Sequence, residues 1–442
     1  MSRDGYRAVA GWDEDALTLA VEAARGASIS TAPGEVVFAS TSAYFTERSQ
    51  AVLALEALAL PPSTRTRDVS GSRRCATSAV LQALEGTGEV LVAAGEKRET
   101  QAGSPQSLLY GDGGAACRVG EGGGALFRGG ASMSADLVDV YVSRDQCTPY
   151  VYEERFIRDT AVASVFAPTI RQACDRAGVS PAEITLAVVT EPAGGVYAAV
   201  SKALGLTAPN LATEVAGRAG DLGAAHPLFA LGLAFARAQP GDLVLLAGFG
   251  SGCDVLIFEV QGEIEGAARF EAWLDEGVSS SDYVRFLSLT GDLDLAWGMR
   301  AEAELKNQAT VIERIGRDVI GFIGGRDSLG NVQFPKSRIP VNPDVDKPET
   351  LTDVRLADLP AVIISATNDR LNYSPDPPFA FGLVQFENGA RVMMEFTDRG
   401  PAGFSVGDPV SMRFRIKQLD RRRGFRNYFW KAAQSVRPAM EA

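Results

Sequence analysis

Helical spacing of apolar residues alternates with short apolar runs along the first 260 residues. Residues 13–27 (DEDALTLAVEAARGA) place apolar side chains at helical spacing behind acidic residues that suit a helix N-terminus. The runs at 35–40, 88–98 and 241–260 are typical of buried strands. Apolar strands that alternate with helices indicate parallel pairing with both faces covered. The pattern predicts a layered α/β domain that ends near Gln261.

The pattern changes after Gly262. Charge-rich helical segments reach about Arg317, and a stretch rich in Gly and Pro follows. From Val362 onward, apolar and polar residues alternate in AVIISATND, FAFGLVQFE, ARVMMEFTD and PVSMRFRIKQLD, with a turn at 387–389. Four or five antiparallel strands of this length fit a small barrel of the OB type. We therefore expect three parts, namely an α/β domain (1–262), a helical connector (263–318) and a ribbon segment with an OB-fold barrel (319–442).

Composition narrows the functional classes. The chain has 43 Lys and Arg against 55 Asp and Glu, a net charge of -12, which disfavours a nucleic-acid partner. The basic cluster at 421–423 fits a solvated face or a phosphate contact. The chain has neither a signal peptide nor an apolar run of about 20 residues, and its five cysteines form no CxxC pair. We expect a cytoplasmic protein without a membrane partner.

Four segments carry a family resemblance. They are DEDALTLAVEAARGA, YGDGGAA (110–116), VVTEPAGGVYAAVSKALG (188–205) and PGDLVLLAGFGSG (240–252). Together they resemble archaeal-type 3-hydroxy-3-methylglutaryl-CoA synthase, a relative of ketoacyl-ACP synthase III in the thiolase superfamily. The resemblance implies an αβαβα fold that pairs through a sheet edge, as a homodimer or as a heteromer with a thiolase or condensing enzyme.

The resemblance also implies a site for acyl thioesters. In this family a cysteine at a helix N-terminus is acylated, and a histidine with an asparagine polarises the second thioester. Backbone amides hold the oxyanion, and the FGSG turn with Gly250 and Gly252 is the matching segment here. Coenzyme A thioesters are therefore the expected ligand class.

This chain departs from the family at each side-chain position. Thr190 stands where the family has histidine, and Asp221 stands where it has asparagine. The nucleophile position falls on Arg73 or on Arg74, depending on which landmark is used for counting. Cys75 follows directly and is a candidate nucleophile if a small insertion in SGSRR shifts the register. Otherwise it is a structural cysteine inside the helix.

Three features near this site leave alternatives open. Two arginines at a helix N-terminus oppose the helix dipole, so either an anion or acidic neighbour favours them or both point to solvent. His226, the only histidine, is either a residue at the core edge or a relocated acid/base partner of Asp221. The family's first core strand is missing or reduced to residues 5–11 (GYRAVAG).

The C-terminal part resembles the acyl-CoA-associated OB-fold family, in which a zinc ribbon precedes the barrel. The matching segments are SDYVRFLSLTG, GNVQFP, PFAFGLVQFENGARVMMEFTD and VGDPVSMRF. The family's CxxCG positions read Arg326 and Leu329 here, and no cysteine follows Cys253. Since zinc needs four such ligands, we predict no zinc. Packing, for example by Val332, Phe334 and Ile339, or a partner chain must then hold the ribbon segment.

Two functions fit these observations. The first is a non-catalytic or weakly catalytic subunit that organises a partner thiolase or condensing enzyme, as the OB-fold resemblance implies. The second is an active acyl-CoA acyltransferase, condensing enzyme or aldolase whose chemistry is carried by Asp221, His226 and Cys75.

Overall fold

A computed structural model of the chain describes residues 5–27, 31–293, 316–337, 339–345 and 350–434. The chain divides into two compact units. The first contains Met1–Ala10, Asp15–Ala54 and Pro61–Ser279, and the second contains Gly11–Glu14, Leu55–Leu60 and Ser280–Ala442. Residues 294–315 of the helical connector predicted between 263 and 318 lie outside the described residues, and the described part of this range contains two short helices, Arg269–Asp275 and Tyr283–Thr290.

Eleven α-helices have both of their ends among the described residues. They are α1 (Ala16–Arg25), α2 (Gln50–Ala57), α3 (Cys75–Glu85), α4 (Pro105–Leu109), α5 (Glu154–Ala161), α6 (Ala167–Ala177), α7 (Val196–Leu204), α8 (Leu211–Ala219), α9 (His226–Arg237), α10 (Arg269–Asp275) and α11 (Tyr283–Thr290).

Ten strands belong to the first unit. They are β1 (Glu35–Ala39), β2 (Arg65–Val69), β3 (Val90–Glu96), β4 (Gly113–Val119), β5 (Ala125–Ser134), β6 (Val140–Tyr141), β7 (Tyr150–Val151), β8 (Leu186–Val189), β9 (Leu243–Phe249) and β10 (Gly252–Val260). The second unit contains β11 (Ile323–Arg326), β12 (Val332–Gln333), β13 (Thr352–Arg355), β14 (Ala361–Asp369), β15 (Phe379–Phe386), β16 (Arg391–Thr397), β17 (Pro409–Asp420) and β18 (Phe425–Gln434).

Helix α1 shows how local sequence fixes an element of the first unit. The Asp15 carboxylate accepts from the amide of Thr18 at 3.1 Å, and the Thr18 hydroxyl accepts from the amide of Asp15 at 2.9 Å. This capping box satisfies two amides that a helix start leaves unpaired. The helix lies on β3 and β4, and a Cβ on Gly114 would approach the carbonyl oxygen of Leu19 to 2.4 Å. Glycine therefore permits the close contact between helix and sheet.

Two four-stranded sheets organise the first unit. Their strand orders are β2-β1-β3-β4 and β5-β10-β9-β8. Helices α3 and α9 pack between the sheets, α1 covers the outer face of the first, and α6 covers the outer face of the second. This arrangement confirms the predicted αβαβα layers. The expectation of parallel pairing was too broad, because β4 is antiparallel to β3 and β10 is antiparallel to both of its neighbours.

The segment that precedes α1 belongs to neither sheet. Residues 5–10 form no strand, and the amides of Tyr6 and Ala8 donate to the carbonyls of Gly217 and Ala219, at 3.3 and 2.7 Å. The carbonyl of Ala8 accepts from the amide of Asp112 at 3.0 Å. Hydrogen bonds to the last turn of α8 and to the residue before β4 therefore satisfy this segment instead of a sheet ladder.

The second unit contains the predicted barrel. Strands β14, β15, β16, β18 and β17 close in that order. Side chains alternate between buried and partly exposed along β15, as the sequence pattern predicted for a barrel wall. Phe414 and Trp430 are fully buried in its interior, with ring centroids 5.5 Å apart. The prediction missed β18, whose run FRNYFWKAAQ lacks strict alternation.

The ribbon segment forms a short hairpin of β11 and β12. Oδ1 of Asp327 accepts from the amides of Leu329 and Asn331, at 3.0 and 2.8 Å, so a carboxylate holds the turn where the family has its first zinc knuckle. Val332 is buried, and the ring of Phe334 lies 4.9 Å from that of Phe322. The hairpin is therefore held by packing and by an Asp-centred turn.

The prediction for Ile339 was wrong. Its side chain is 70% exposed, and its amide donates to the hydroxyl of Ser337 at 3.2 Å. The segment after β12 therefore turns outward, and it contributes a hydrogen bond rather than apolar packing.

A buried charge cluster completes the second unit. The ammonium of Lys431 lies 2.9 Å from a carboxylate oxygen of Asp13 and 3.0 Å from one of Glu395, and 4.5 Å from the ring centre of Trp12. Burial lowers the pKa of Lys431, but the two carboxylates outweigh burial and leave the pKa raised. The ammonium therefore stays charged inside the unit.

Replacing Lys431 by methionine tests this cluster. Lys431→Met keeps the apolar stem but removes the buried cation that the carboxylates of Asp13 and Glu395 share. We expect the free energy of unfolding to fall by about 3–5 kcal/mol in urea denaturation at pH 7. Lys417→Met is the matched control, because Lys417 binds the same Glu395 from a side chain that is 45% exposed, and it should cost less than about 1 kcal/mol. Equal losses in the two variants would contradict the assignment.

Candidate active site

A cavity of about 120 Å³ lies in the first unit where β8 and β9 end and α9 begins. Its lining includes Arg73, Thr190, Asp221, His226 and Phe249. The cavity therefore brings together four of the residues that the sequence analysis selected, and Phe249 is the last residue of β9.

Arg73 precedes α3 and points into this cavity. Its guanidinium contacts the carboxylate of Asp139, and its Nη1 lies 3.4 Å from Oδ2 of Asp221. The side chain is only 18% exposed. Two acidic neighbours therefore compensate a cation that the helix dipole disfavours, and the alternative in which the arginine points to solvent was wrong.

Arg74 extends away from the cavity. Its Nη1 donates to Asp254 at 3.1 Å and to the carbonyl of Met133 at 3.0 Å, and its Nη2 donates to the hydroxyl of Ser134 at 3.1 Å. Of the two arginines that counting from landmarks left open, only Arg73 lines the cavity.

Cys75 is the first residue of α3 and is 3% exposed. It packs in the core between the two sheets, together with Val37, Val92 and Leu246, and it does not line the cavity. Burial raises the pKa of its thiol, and the charge of Glu96 raises it further. A buried thiol beside a carboxylate does not form the thiolate that nucleophilic attack needs.

Asp221 is fixed by its backbone and by two arginines. Its amide donates to the carbonyl of Leu109 at 2.8 Å, and its Oδ1 accepts from the amide of Gly223 at 2.9 Å. Burial raises the pKa of this carboxyl, but Arg98 and Arg73 outweigh burial and hold the pKa well below its usual range. Asp221 is therefore an anion at neutral pH, and its carboxylate is paired with Arg73 and Arg98.

Both ring nitrogens of His226 are bonded to backbone. Nδ1 accepts from the amide of Leu222 at 3.2 Å, so Nε2 carries the proton and donates to the carbonyl of Ala212 at 3.0 Å. Burial lowers the pKa of the imidazole. The cavity contains both Asp221 and His226, but these hydrogen bonds go to the backbone rather than to each other.

Thr190 joins the ends of two strands. Its hydroxyl donates to the carbonyl of Ala247 at 3.3 Å and accepts from the amide of Phe249 at 2.9 Å. At the position where the family has histidine, a short side chain therefore bridges β8 to β9 and lies against the cavity wall.

Gly250 and Gly252 have conformational roles in the turn between β9 and β10. A Cβ on Gly250 would lie 2.4 Å from the hydroxyl of Ser72, and the φ of Gly252 is +121°. The amide of Gly250 donates to the carbonyl of Gly252 at 2.9 Å. Neither glycine lines the cavity, although the preceding Phe249 does.

The sequence analysis missed three charged residues beside the cavity. The carboxylate of Glu96 is buried and accepts from the hydroxyls of Thr41 and Ser42, each at 3.0 Å. Arg98 stacks on Tyr110 at 3.6 Å from the ring centre, and Asp139 binds Arg73. For Glu96 and Arg98 a signal existed, because polar residues directly after a buried strand lie where α/β folds place their sites. Asp139 stands in a loop without such a signal.

In the described ranges, no three His, Cys, Asp or Glu side chains come together as a metal site would require. No helix in those ranges has the length and apolar character that a membrane crossing needs.

Known families match two parts of the chain. Residues 174–257 match the C-terminal domain of 3-oxoacyl-[acyl-carrier-protein] synthase III, and residues 353–415 match the C-terminal OB-fold domain of ChsH2.

Curated relatives and solved structures agree with the match to the synthase III domain. The chain is 29% identical to a hydroxymethylglutaryl-CoA synthase from Aeropyrum pernix, and the match covers 56% of this chain and 72% of the relative. It is 25% identical to a hydroxymethylglutaryl-CoA synthase from Methanosarcina mazei, and that match covers 64% of this chain and 86% of the relative. An MvaS structure in complex with 3-hydroxy-3-methylglutaryl coenzyme A superposes with a TM-score of 0.53 at 18% identity, covering 64% of this chain and 82% of that chain. A FabH structure from Pseudomonas aeruginosa gives a TM-score of 0.50 at 21% identity, covering 58% and 86%. The chain therefore combines a condensing-enzyme fold of the thiolase superfamily with an OB-fold domain similar to that of ChsH2.

The acid dependence of stability tests the ion pairs of Asp221. A carboxyl whose pKa is lowered by folding stabilises the protein above its unfolded pKa of about 3.9 and loses this contribution as the pH falls further. Asp221→Asn should cost about 2 kcal/mol of unfolding free energy at pH 7. This difference from the parent protein should shrink between pH 4 and pH 2, measured by denaturant unfolding. The exposed control Asp159→Asn should change stability by less than about 0.5 kcal/mol at every pH. A constant effect of Asp221→Asn with pH would refute the ion pairs.

Thiol labelling tests the placement of Cys75. Of the five cysteines only Cys147 is exposed, and burial raises the pKa of the half-buried Cys117 to about 12. Iodoacetamide at pH 8 should therefore label one thiol of the native protein rapidly. Mass spectrometry should show that Cys147→Ser removes this label and that Cys75→Ser does not. Rapid labelling of Cys75 would mean that the thiol is open to reagents, contrary to its position in the core.

Proposed function

We propose that this chain is a non-catalytic subunit that organises a partner thiolase or condensing enzyme. The observation that carries the proposal is Arg73, which occupies the cavity at a position that family counting assigns to the nucleophile, with its guanidinium bound to Asp139 and Asp221. A guanidinium has no lone pair available for attack on a thioester and stays protonated at all physiological pH values.

The other candidate groups support the same reading. The thiol of Cys75 is in the core, and the hydroxyl of Thr190 is bonded to backbone. His226 would have to give up a backbone hydrogen bond before it accepted a proton, because its Nδ1 is already an acceptor. General base catalysis needs a free acceptor within hydrogen-bond reach of the substrate.

The OB-fold domain favours a role in an assembly. The acyl-CoA-associated OB-fold proteins that it resembles accompany thiolases as fused or separate subunits. The ribbon hairpin of this chain is held by the Asp327 turn and by the ring of Phe334 instead of a metal. The segment can therefore keep a fixed shape for a partner without ligating zinc. Relatives of known structure are described with coenzyme A or its hydroxymethylglutaryl thioester, and we propose acyl-CoA as a ligand that this chain binds without transferring the acyl group.

The alternative is an active acyltransferase, condensing enzyme or aldolase. One observation favours it, because Asp221 and His226 line the same cavity and lie five residues apart, on either side of the turn Gly223–Ala225. In this alternative Asp221 would serve as an anion that orients a substrate, and His226 as the proton carrier after local rearrangement.

Acylation and co-purification separate the two functions. The purified chain, incubated with acetyl-CoA and acetoacetyl-CoA, should gain no acyl adduct in its intact mass and should release no free CoA. A ketoacyl-ACP synthase III treated in parallel is the positive control. Tagged chain isolated from its own cells should bring down a thiolase or condensing enzyme in a defined ratio by native mass spectrometry. A homodimer that turns over a thioester alone would overturn the proposal.

A further inference from the structure

The hairpin of β6 and β7 carries a cluster of exposed apolar side chains. Six such residues, each between 42% and 57% exposed, lie within a stretch of 19 residues: Val138, Tyr141, Val142, Tyr150, Tyr152 and Phe156. Tyr141 and Tyr150 pair across the two strands, with ring centres 5.6 Å apart. An exposed patch of aromatic side chains on a folded domain is typical of a protein interaction site.

The base of this hairpin is tied to Arg73. Asp139, which directly precedes β6, is 7% exposed and binds the guanidinium of Arg73, while its carbonyl accepts from the amide of Tyr152 at 2.9 Å. Arg73 is itself held by Asp221. Arg73, which stands at a position that family counting assigns to the nucleophile, thus connects the cavity to both strands of an exposed aromatic hairpin.

The charges on the hairpin favour one kind of binding partner over another. Residues 136–159 contain six acidic residues and three arginines. Asp139 is neutralised by Arg73, and Asp159 pairs with Arg158 at 3.0 Å. The remaining exposed charges are acidic in excess, namely Asp136, Asp145, Glu153 and Glu154 against Arg144 and Arg155. A second copy of a chain with net charge -12 would meet like charge here, whereas a partner with a basic rim would meet opposite charge.

We propose that the hairpin of β6 and β7 is the docking surface for the partner condensing enzyme, and that Arg73 is a positioning residue that holds this surface in place. The proposal rests on the proposed function. The partner face that fits is an apolar groove, into which Tyr150 and Tyr152 insert, bordered by lysines and arginines. The anchoring aromatic side chains carry the affinity, and the charged rim sets the association rate and excludes self-association.

Site-specific cross-linking tests the surface. A photoreactive phenylalanine analogue replaces Tyr152 of the full-length chain in its own cells, and the same analogue at Leu108, which is 57% exposed on α4, is the control. We expect a cross-linked heterodimer from position 152, identified by mass spectrometry as a thiolase-fold enzyme, and at least tenfold less product from position 108. Raising NaCl from about 0.1 to 0.5 M should reduce the product from position 152, because the rim is charged.

Variants separate the aromatic surface from its anchor. Y150S/Y152S should weaken binding of the purified partner enzyme at least tenfold, and Leu108→Ser should leave it unchanged. Arg73→Met should weaken binding and speed hydrogen exchange of amides 139–152, whereas Arg73→Lys, which keeps the cation beside Asp139, should restore most of both. Parental binding affinity in Arg73→Met would show that Arg73 does not position this surface.

The outcomes distinguish this inference from the proposed function. If the partner binds Y150S/Y152S with parental affinity, the hairpin is not the docking surface, although the organising function stands. Cross-linking of position 152 only to a second copy, or to no protein, also overturns the docking proposal. If the chain instead forms an acyl adduct and turns over thioesters without a partner, the proposed function fails first.

Discussion

The ion pairs of Arg73 with Asp139 and Asp221 are the interaction on which the rest of the first unit's site depends. A cation at the start of α3 is unfavourable by itself, because the helix dipole presents positive charge there. Two carboxylates from separate segments of the chain reverse this preference and hold the guanidinium in the cavity. Arg98 contacts the other oxygen of the same Asp221 carboxylate, and the series of oppositely charged groups continues from Arg98 to Glu96. The carboxylate of Asp221 is therefore paired with two arginines, and the cavity is also lined by the carboxylate of Glu191.

The second unit also stabilises a segment without the group that its relatives use there. A zinc ribbon gains its stability from metal ligation, and this segment has no cysteine to offer. The Asp327 turn supplies the hydrogen bonds of a tight hairpin, and rings around Phe322 supply the apolar contact. Charged groups are also buried here, with Lys431 between two carboxylates. In both units, side chains that usually face water form internal networks whose members must be present together.

Periodicity predicted the architecture well, because apolar runs and helical spacing report which face of an element is buried. The segment 13–27 begins its helix at Ala16 after the Asp15 cap, and four of the five barrel strands coincide with alternating runs. Strand direction was predicted less well, since an antiparallel β10 is as apolar as a parallel strand. In the site, four residues that the sequence analysis had selected separately, Arg73, Thr190, Asp221 and His226, line one cavity. Asp139 and the hydrogen bonds of His226 depend on loop geometry and tautomer, which no local pattern encodes.

The double anchorage of Arg73 also restricts how the sequence can change. Exchanging Arg73 for cysteine would place a thiol in the cavity, but it would leave Asp139 and Asp221 without their shared cation and raise the thiol pKa through two nearby anions. A reactive thiol is thus several coordinated substitutions away, since each single step passes through a destabilised protein. The ion pairs that order this region therefore oppose the substitutions that would restore the cysteine chemistry of its relatives.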